Sequence, residues 1–115
     1  MSQELEDRFF NYAKRVRDFC ARLDMNVINR EYIGQLIRAS GSVAANYIEA
    51  SDSLGKNDER MKLRTSRREA KESTLWLKLL LISERDEDLE NERQWLINEA
   101  EQIKKILSSI ILKVG

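Results

Sequence analysis

The side chains with the plainest chemistry in this chain are the cations between Arg60 and Lys78. Wound as a helix at about 100° per residue, Arg60, Arg64, Arg67, Lys71 and Lys78 fall on one line, with Arg68 beside it. Such a row of guanidinium and ammonium groups suits phosphate oxygens. Arginine outnumbers lysine in it by four to two, which favours bidentate recognition of phosphate or carboxylate. Two readings stand side by side: phosphate contact along one helix, or a solvated face braced by intra-helix pairs such as Arg68 with Glu72. Reaction chemistry is scarce. The chain has no histidine, which removes the commonest general base and the Glu-x-x-His ligands of di-iron bundles. Glu49, Glu69 and Glu72 make a carboxylate-only metal site on paper, but hydrogen-bonded or solvated glutamates are the simpler reading. Cys20 falls among apolar neighbours, as a buried, inert thiol does. There is no glycine-rich phosphate loop and no Cys-x-x-Cys. These residues point to binding and assembly, with no enzymatic activity, no metal and no cofactor.

The same helix has two further faces. Leu63, Ser66, Ala70, Ser73, Leu77 and Leu80 form its core face, roughly 120° from the cations. Glu69, Glu72 and Trp76 lie on the other flank. A large aromatic beside acids at a core edge suits a helix–helix or subunit interface, or covers the edge of a bundle. Trp95, and the wide apolar face of the last helix with Ile97 and Leu112 outside a narrow stripe, suggest apolar surface that one bundle does not hide alone.

Composition sets the frame that positions these groups. The chain has 115 residues, no proline and four glycines, with 42% hydrophobic and 35% charged residues. That is one domain with one core, spanning 1–115, in an all-α class. Net charge is zero, which argues against a strongly basic nucleic-acid binder of the usual kind. The charge is unevenly placed, however: Lys56 to Arg85 carries nine bases and five acids, whereas Asp86 to Gly115 carries four bases and seven acids. The single cysteine excludes an intrachain disulfide and fits a reducing compartment. Met1-Ser2-Gln3-Glu4 has no apolar signal core, and Lys104, Lys105, Ser108, Ser109 and Lys113 break up the apolar run from Ile103 to Val114. A cytoplasmic protein with no membrane partner is expected.

Apolar spacing predicts four helices. The first spans Ser2 to Leu23, capped by Ser2, with Leu5, Phe9, Tyr12, Ala13, Val16, Phe19, Cys20 and Leu23 inward. Asp24 to Asn29 reads as a loop. The second helix spans Arg30 to Leu54 with Asn29 as its N-cap and Ile33, Leu36, Ile37, Ser40, Ala44, Tyr47 and Ile48 inward. Its small stretch from Ala39 to Asn46, Gly41 included, predicts close approach of another helix. Gly55 is a natural stop, and Asn57 is expected to cap a third helix from Asp58 to Arg85. Glu84 to Asp88 makes the last turn. The fourth helix spans Leu89 to Val114, with Leu96, Ala100, Ile103, Ile106, Leu107, Ile110 and Ile111 inward. Short links between long helices give an antiparallel up-down-up-down four-helix bundle.

The residues also carry a resemblance. Gln35 to Ala50 contains Ser42-x-x-x-Asn46-x-x-Glu49, and Arg68-Glu69-Ala70-Lys71-Glu72-Ser73 is followed by Trp76-Leu77. Together, over about Phe9 to Leu112, they resemble the four-helix-bundle proteins related to the 23S rRNA intervening-sequence protein. The resemblance implies an antiparallel four-helix bundle that assembles as a homopentameric ring. Some relatives are encoded within insertions in 23S rRNA genes. A related branch is the basic accessory protein of diversity-generating retroelements, which binds nucleic acid and a reverse transcriptase. Ser42, Asn46, Glu49, Glu69, Glu72 and Trp76 would then be fold or assembly residues. The expected function is a non-enzymatic, pentameric, RNA-associated or nucleoprotein accessory factor, with Arg60, Arg64, Arg67, Arg68 and Lys71 on phosphates. The alternative is a structural or protein-binding scaffold with no nucleic-acid role.

Overall fold

In the computed structural model, which describes residues 2–114, the chain forms α1 (Gln3–Cys20), α2 (Val27–Ser51), α3 (Lys56–Leu79) and α4 (Glu87–Val114). The hydroxyl of Ser2 accepts from the Leu5 amide at 3.2 Å, so α1 begins on its expected cap. Phe9, Tyr12, Val16, Phe19 and Cys20 are buried at three- and four-residue steps. The Ser2 amide donates to the hydroxyl of Tyr47 at 3.0 Å, and the Tyr47 ring meets Phe9 edge-on at 4.9 Å. The start of α1 is thereby tied to the end of α2.

α2 departs from expectation at its start and along one edge. It begins at Val27, capped by Asn26, whose side-chain oxygen accepts from the Asn29 amide at 2.8 Å. Asn29 is therefore inside the first turn, and fully buried. Its Nδ2 donates to the carbonyls of Asp24 at 2.9 Å and Leu81 at 3.0 Å, and its Oδ1 accepts from the Leu81 amide at 2.8 Å. One carboxamide thus bridges the two links at this end of the bundle. The inward stripe is Ile33, Leu36, Ala39, Ser40, Val43, Ala44, Tyr47 and Ala50. Ile37 and Ile48 were expected within it but lie 47% and 43% exposed on the outer side, because the buried row follows Leu36–Val43–Tyr47 and leaves both one step off.

The small stretch of α2 divides in the same way. Ala39, Ser40, Val43 and Ala44 are buried, whereas Gly41 and Ala45 are exposed. The hydroxyl of Ser66, buried on α3, donates to the Val43 carbonyl at 2.7 Å, and α2 with α3 forms the most extensive helix pair. Close approach is thus real, but Gly41 takes no part in it: a Cβ there would meet nothing within 4 Å. Within one protomer Gly41→Ala is expected to raise stability by about 0.5–1 kcal/mol, the helix-propensity difference. Thermal or urea unfolding checks this.

The third helix starts earlier and ends earlier than expected. Gly55, with φ +139°, supplies a backbone conformation that other residues rarely adopt, and α3 begins at Lys56 with no side-chain cap. Asn57 is already helical and does not cap. Asp58 instead reaches back, accepting from the Leu54 amide at 3.1 Å. At the other end Arg93 donates to the carbonyls of Leu77 and Leu80, satisfying acceptors that a helix C-terminus leaves free, and residues 80–86 form the link. Within that link the Asp86 carboxylate accepts from the Leu89 amide at 3.0 Å, so α4 opens at Glu87. Leu89, Leu96, Ile97, Ala100, Ile103, Leu107 and Ile111 are buried on α4. Ile97 therefore belongs to the core, while Leu112 is 82% exposed.

Pairs across the helices fix their directions. Tyr32 meets Trp76 and Val43 meets Ser66 between α2 and α3, Arg93 meets Leu77 while Ser108 meets Arg67 between α3 and α4, and Arg8 with Glu99 and Arg15 with Glu92 join α1 to α4. In each set one number rises as the other falls, so neighbours are antiparallel and the bundle runs up-down-up-down. It is 49 × 22 × 19 Å.

Candidate nucleic-acid interface

The cationic row follows from how α3 packs. Burial of Leu63, Ser66, Ala70, Ser73 and Leu77 turns Arg64, Arg68, Lys71 and Lys78 out to solvent and leaves Arg60 and Arg67 half-buried at the edge. All six cations were expected to stand clear of the core, and the two edge residues do so only in part. Arg60 Nε is buried without a hydrogen-bond partner among the described residues. Arg67 Nη1 donates to Ser108 Oγ on α4 at 3.2 Å.

Two adjoining recesses run along this face. Arg64, Arg67, Arg68 and Lys71 of α3 line the first with Lys104 and Ser108 of α4. The second continues toward the start of α3 between Asn57, Arg60, Met61, Arg64, Thr65 and Arg68. Arg64 and Arg68 line both recesses, so Arg60, Arg64, Arg67, Arg68 and Lys71 stand together along one face of α3. Lys78 lies outside both, about 10 Å further along the helix at 1.5 Å per residue.

Among the described residues no carboxylate lines either recess. Among the described residues Arg60, Arg64, Arg67, Lys71 and Lys104 form no salt bridge, and Arg68 has only a 3.6 Å approach to Glu69. The Arg68–Glu72 pair weighed from the sequence is not formed. Like charges therefore stand together without internal neutralisation, and a positive potential follows that the zero net charge conceals.

The neighbouring α1–α4 seam shows where acids of α4 are spent. Arg8 grips Glu99 through Nε at 2.9 Å and Nη2 at 2.8 Å, and Arg15 grips Glu92 through Nε at 2.6 Å and Nη2 at 2.9 Å. The Arg15 guanidinium also covers Trp95 at 3.5 Å, so this ring faces a cation of its own chain. Hydrogen bonding to Arg15 lowers the Glu92 pKa, and bonds from Arg93 and then Gln94 lower that of Glu90 to about 2.

The six residues expected to serve assembly lie on the other flank of α3, along its seam with α2. Asn46 Nδ2 donates to the Ser42 carbonyl at 2.9 Å, Glu49 pairs with Lys62 at 3.1 Å, and Trp76 stacks on Tyr32 at 6.0 Å and 24°. Glu69 and Glu72 neighbour one another. Burial first, and the charge of Glu72 second, raise the Glu69 pKa. Among the described residues no hydrogen bond joins Ser42, Asn46 or Glu49 to Glu69 or Glu72, so they are neighbours along a seam without forming one network. Cys20 is buried, and burial pushes its thiol up to about 11, which holds it protonated at neutral pH.

Sequence reasoning missed Lys104, Ser108 and Tyr32. The signal for the first two was their own four-residue spacing: both border the buried Ile103 and Leu107 on α4, as Arg64 and Arg67 border Leu63 and Ser66 on α3.

A family model described as 23S rRNA-intervening sequence protein matches residues 4–109 of the chain. The fold is also similar to a crystal structure of a protein with unknown function from the S23 ribosomal protein family of Bacteroides thetaiotaomicron. The two share a TM-score of 0.76 and 26% sequence identity, over 92% of this chain and 96% of that one. No curated protein matches the chain.

Proposed function

The chain belongs to the 23S rRNA-intervening sequence protein family, and from that premise we propose that it is a non-enzymatic, homopentameric bundle acting as an RNA-associated or nucleoprotein accessory factor. The observation that carries this reading is the groove between α3 and α4, lined by five cations and, among the described residues, no carboxylate. Cations that the fold does not neutralise suit a polyanion from outside. Self-association draws support from the outer face of α2, where Ile37, Gly41, Ala45 and Ile48 form an exposed apolar and small-residue row. Ser42, Asn46 and Glu49 of α2 and Glu69, Glu72 and Trp76 of α3 lie along the seam of these helices and serve fold or assembly. Repetition of one groove around a ring makes a modest local charge multivalent.

Light scattering at micromolar concentration tests the assembly. The expected mass is about five times the 13.5 kDa protomer, and a 13.5 kDa particle contradicts the ring. Binding of structured RNA at low salt tests the role. No affinity there leaves a protein scaffold in its place.

A further inference from the structure

We infer, building on the RNA-associated role proposed above, that the α3–α4 groove binds double-helical RNA through its phosphates alone, with Lys104 and Ser108 of α4 as the second wall. The groove has the ingredients for phosphates and lacks those for unstacked bases. Arg64, Arg67, Arg68 and Lys71 face Lys104 and Ser108 across it. Ser108 Oγ takes one N–H of Arg67 at 3.2 Å. That contact steadies the guanidinium between the helices, leaves its other N–H groups for an anion, and leaves the serine hydroxyl proton to donate.

No aromatic ring lines either recess. Trp76 is stacked with Tyr32 on the α2–α3 seam, and Trp95 lies under Arg15 on the α1–α4 seam. Binders of single strands combine cations with aromatic faces on which bases stack. A duplex keeps its bases stacked inside and presents phosphates outside. The separation suits the second ligand: here the rings and the unpaired cations are on different faces. From Arg60 to Lys71 the row is about 16 Å long at 1.5 Å per residue, which spans about five phosphates of one strand at ~3.4 Å each. Among the described residues, hydroxyls and one carboxamide, Asn57 at the far end, are the uncharged polar side chains that line the recesses. The deep, narrow major groove of an A-form duplex keeps base edges from these arginines, so they meet phosphates and sequence preference is absent.

The experiment is a salt titration by fluorescence anisotropy, using short RNA duplexes of unrelated sequence and their separated strands. Wild type is expected to bind the duplexes equally within about threefold and more tightly than either strand. Log K should fall against log salt with a slope of about −4.5, about 0.9 for each of the five neutralised phosphates. Lys104→Gln is expected to make that slope shallower by about 1. Lys105→Gln, at an exposed neighbour outside the groove, should leave it unchanged. Tenfold tighter binding of a single strand, a tenfold sequence preference, or an unchanged slope in Lys104→Gln overturns this assignment while the RNA-associated role stands. Absence of binding to every probe at low salt overturns both.

Discussion

Replacing Arg60, Arg64 and Arg67 together by glutamate is expected to abolish binding of structured RNA, with a loss of at least a thousandfold. Each charge-assisted hydrogen bond to an anion contributes about 1.5–3 kcal/mol, and about 1.4 kcal/mol is a factor of ten, so three lost contacts exceed that figure before repulsion is added. The three sites span both recesses, so no part of the row escapes the reversal. The bundle is expected to keep its fold. Arg64 is exposed, and Arg60 and Arg67 are half-buried at the helix edge with no carboxylate partner to strand among the described residues. The one bond lost is Arg67 to Ser108, and a glutamate there can accept from the same hydroxyl or pair with Lys104. Removing Arg60 also removes a buried Nε that has no partner among the described residues. Anisotropy at low salt reads the affinity, and circular dichroism with urea melting reads the fold. Undiminished affinity in a folded triple variant means that RNA, if bound, is held elsewhere.

Asn29→Ala is expected to lower stability by about 3 kcal/mol, several times the effect of Asn26→Ala. Asn26 is an exposed N-cap making one bond, and loss of such a cap costs about 1 kcal/mol. Asn29 is fully buried and satisfies three backbone groups, the Asp24 carbonyl and both polar groups of Leu81. Alanine leaves those groups in place and unpaired, at about 1–3 kcal/mol for each that water does not reach. It also frees the α1–α2 and α3–α4 links from each other at the end where they meet. Urea midpoints of the two variants check the ranking. Equal losses would show that water takes over the Asn29 contacts without cost.

The fold was legible because the helix signals are dense and consistent: no proline, long apolar stripes, short polar links. The errors have local causes. Asn26 and Asn29 both look like caps, and only the Leu81 backbone, 52 residues away from Asn29, decides between them. Gly55 was read as a stop for one helix when its positive φ also starts the next. Ile37 and Ile48 are apolar enough to join the α2 stripe, but the buried row runs through Leu36, Val43 and Tyr47 and leaves both one step off. The α3 half of the groove was legible as a charge row on one helix. Its α4 half was not, because pairing Lys104 and Ser108 with Arg67 requires the antiparallel register of α3 against α4. Whether that row was neutralised also depended on register, since Glu99 and Glu92 of α4 are spent on Arg8 and Arg15 of α1.

The measurement that bears most directly on the central claim is the affinity of the wild-type protein for a structured RNA across a salt series from about 50 to 200 mM. Cations held without internal partners predict measurable binding at the low end and a steep linear fall of log K with log salt. Binding that is absent at the lowest salt, or insensitive to salt, contradicts a phosphate-binding groove.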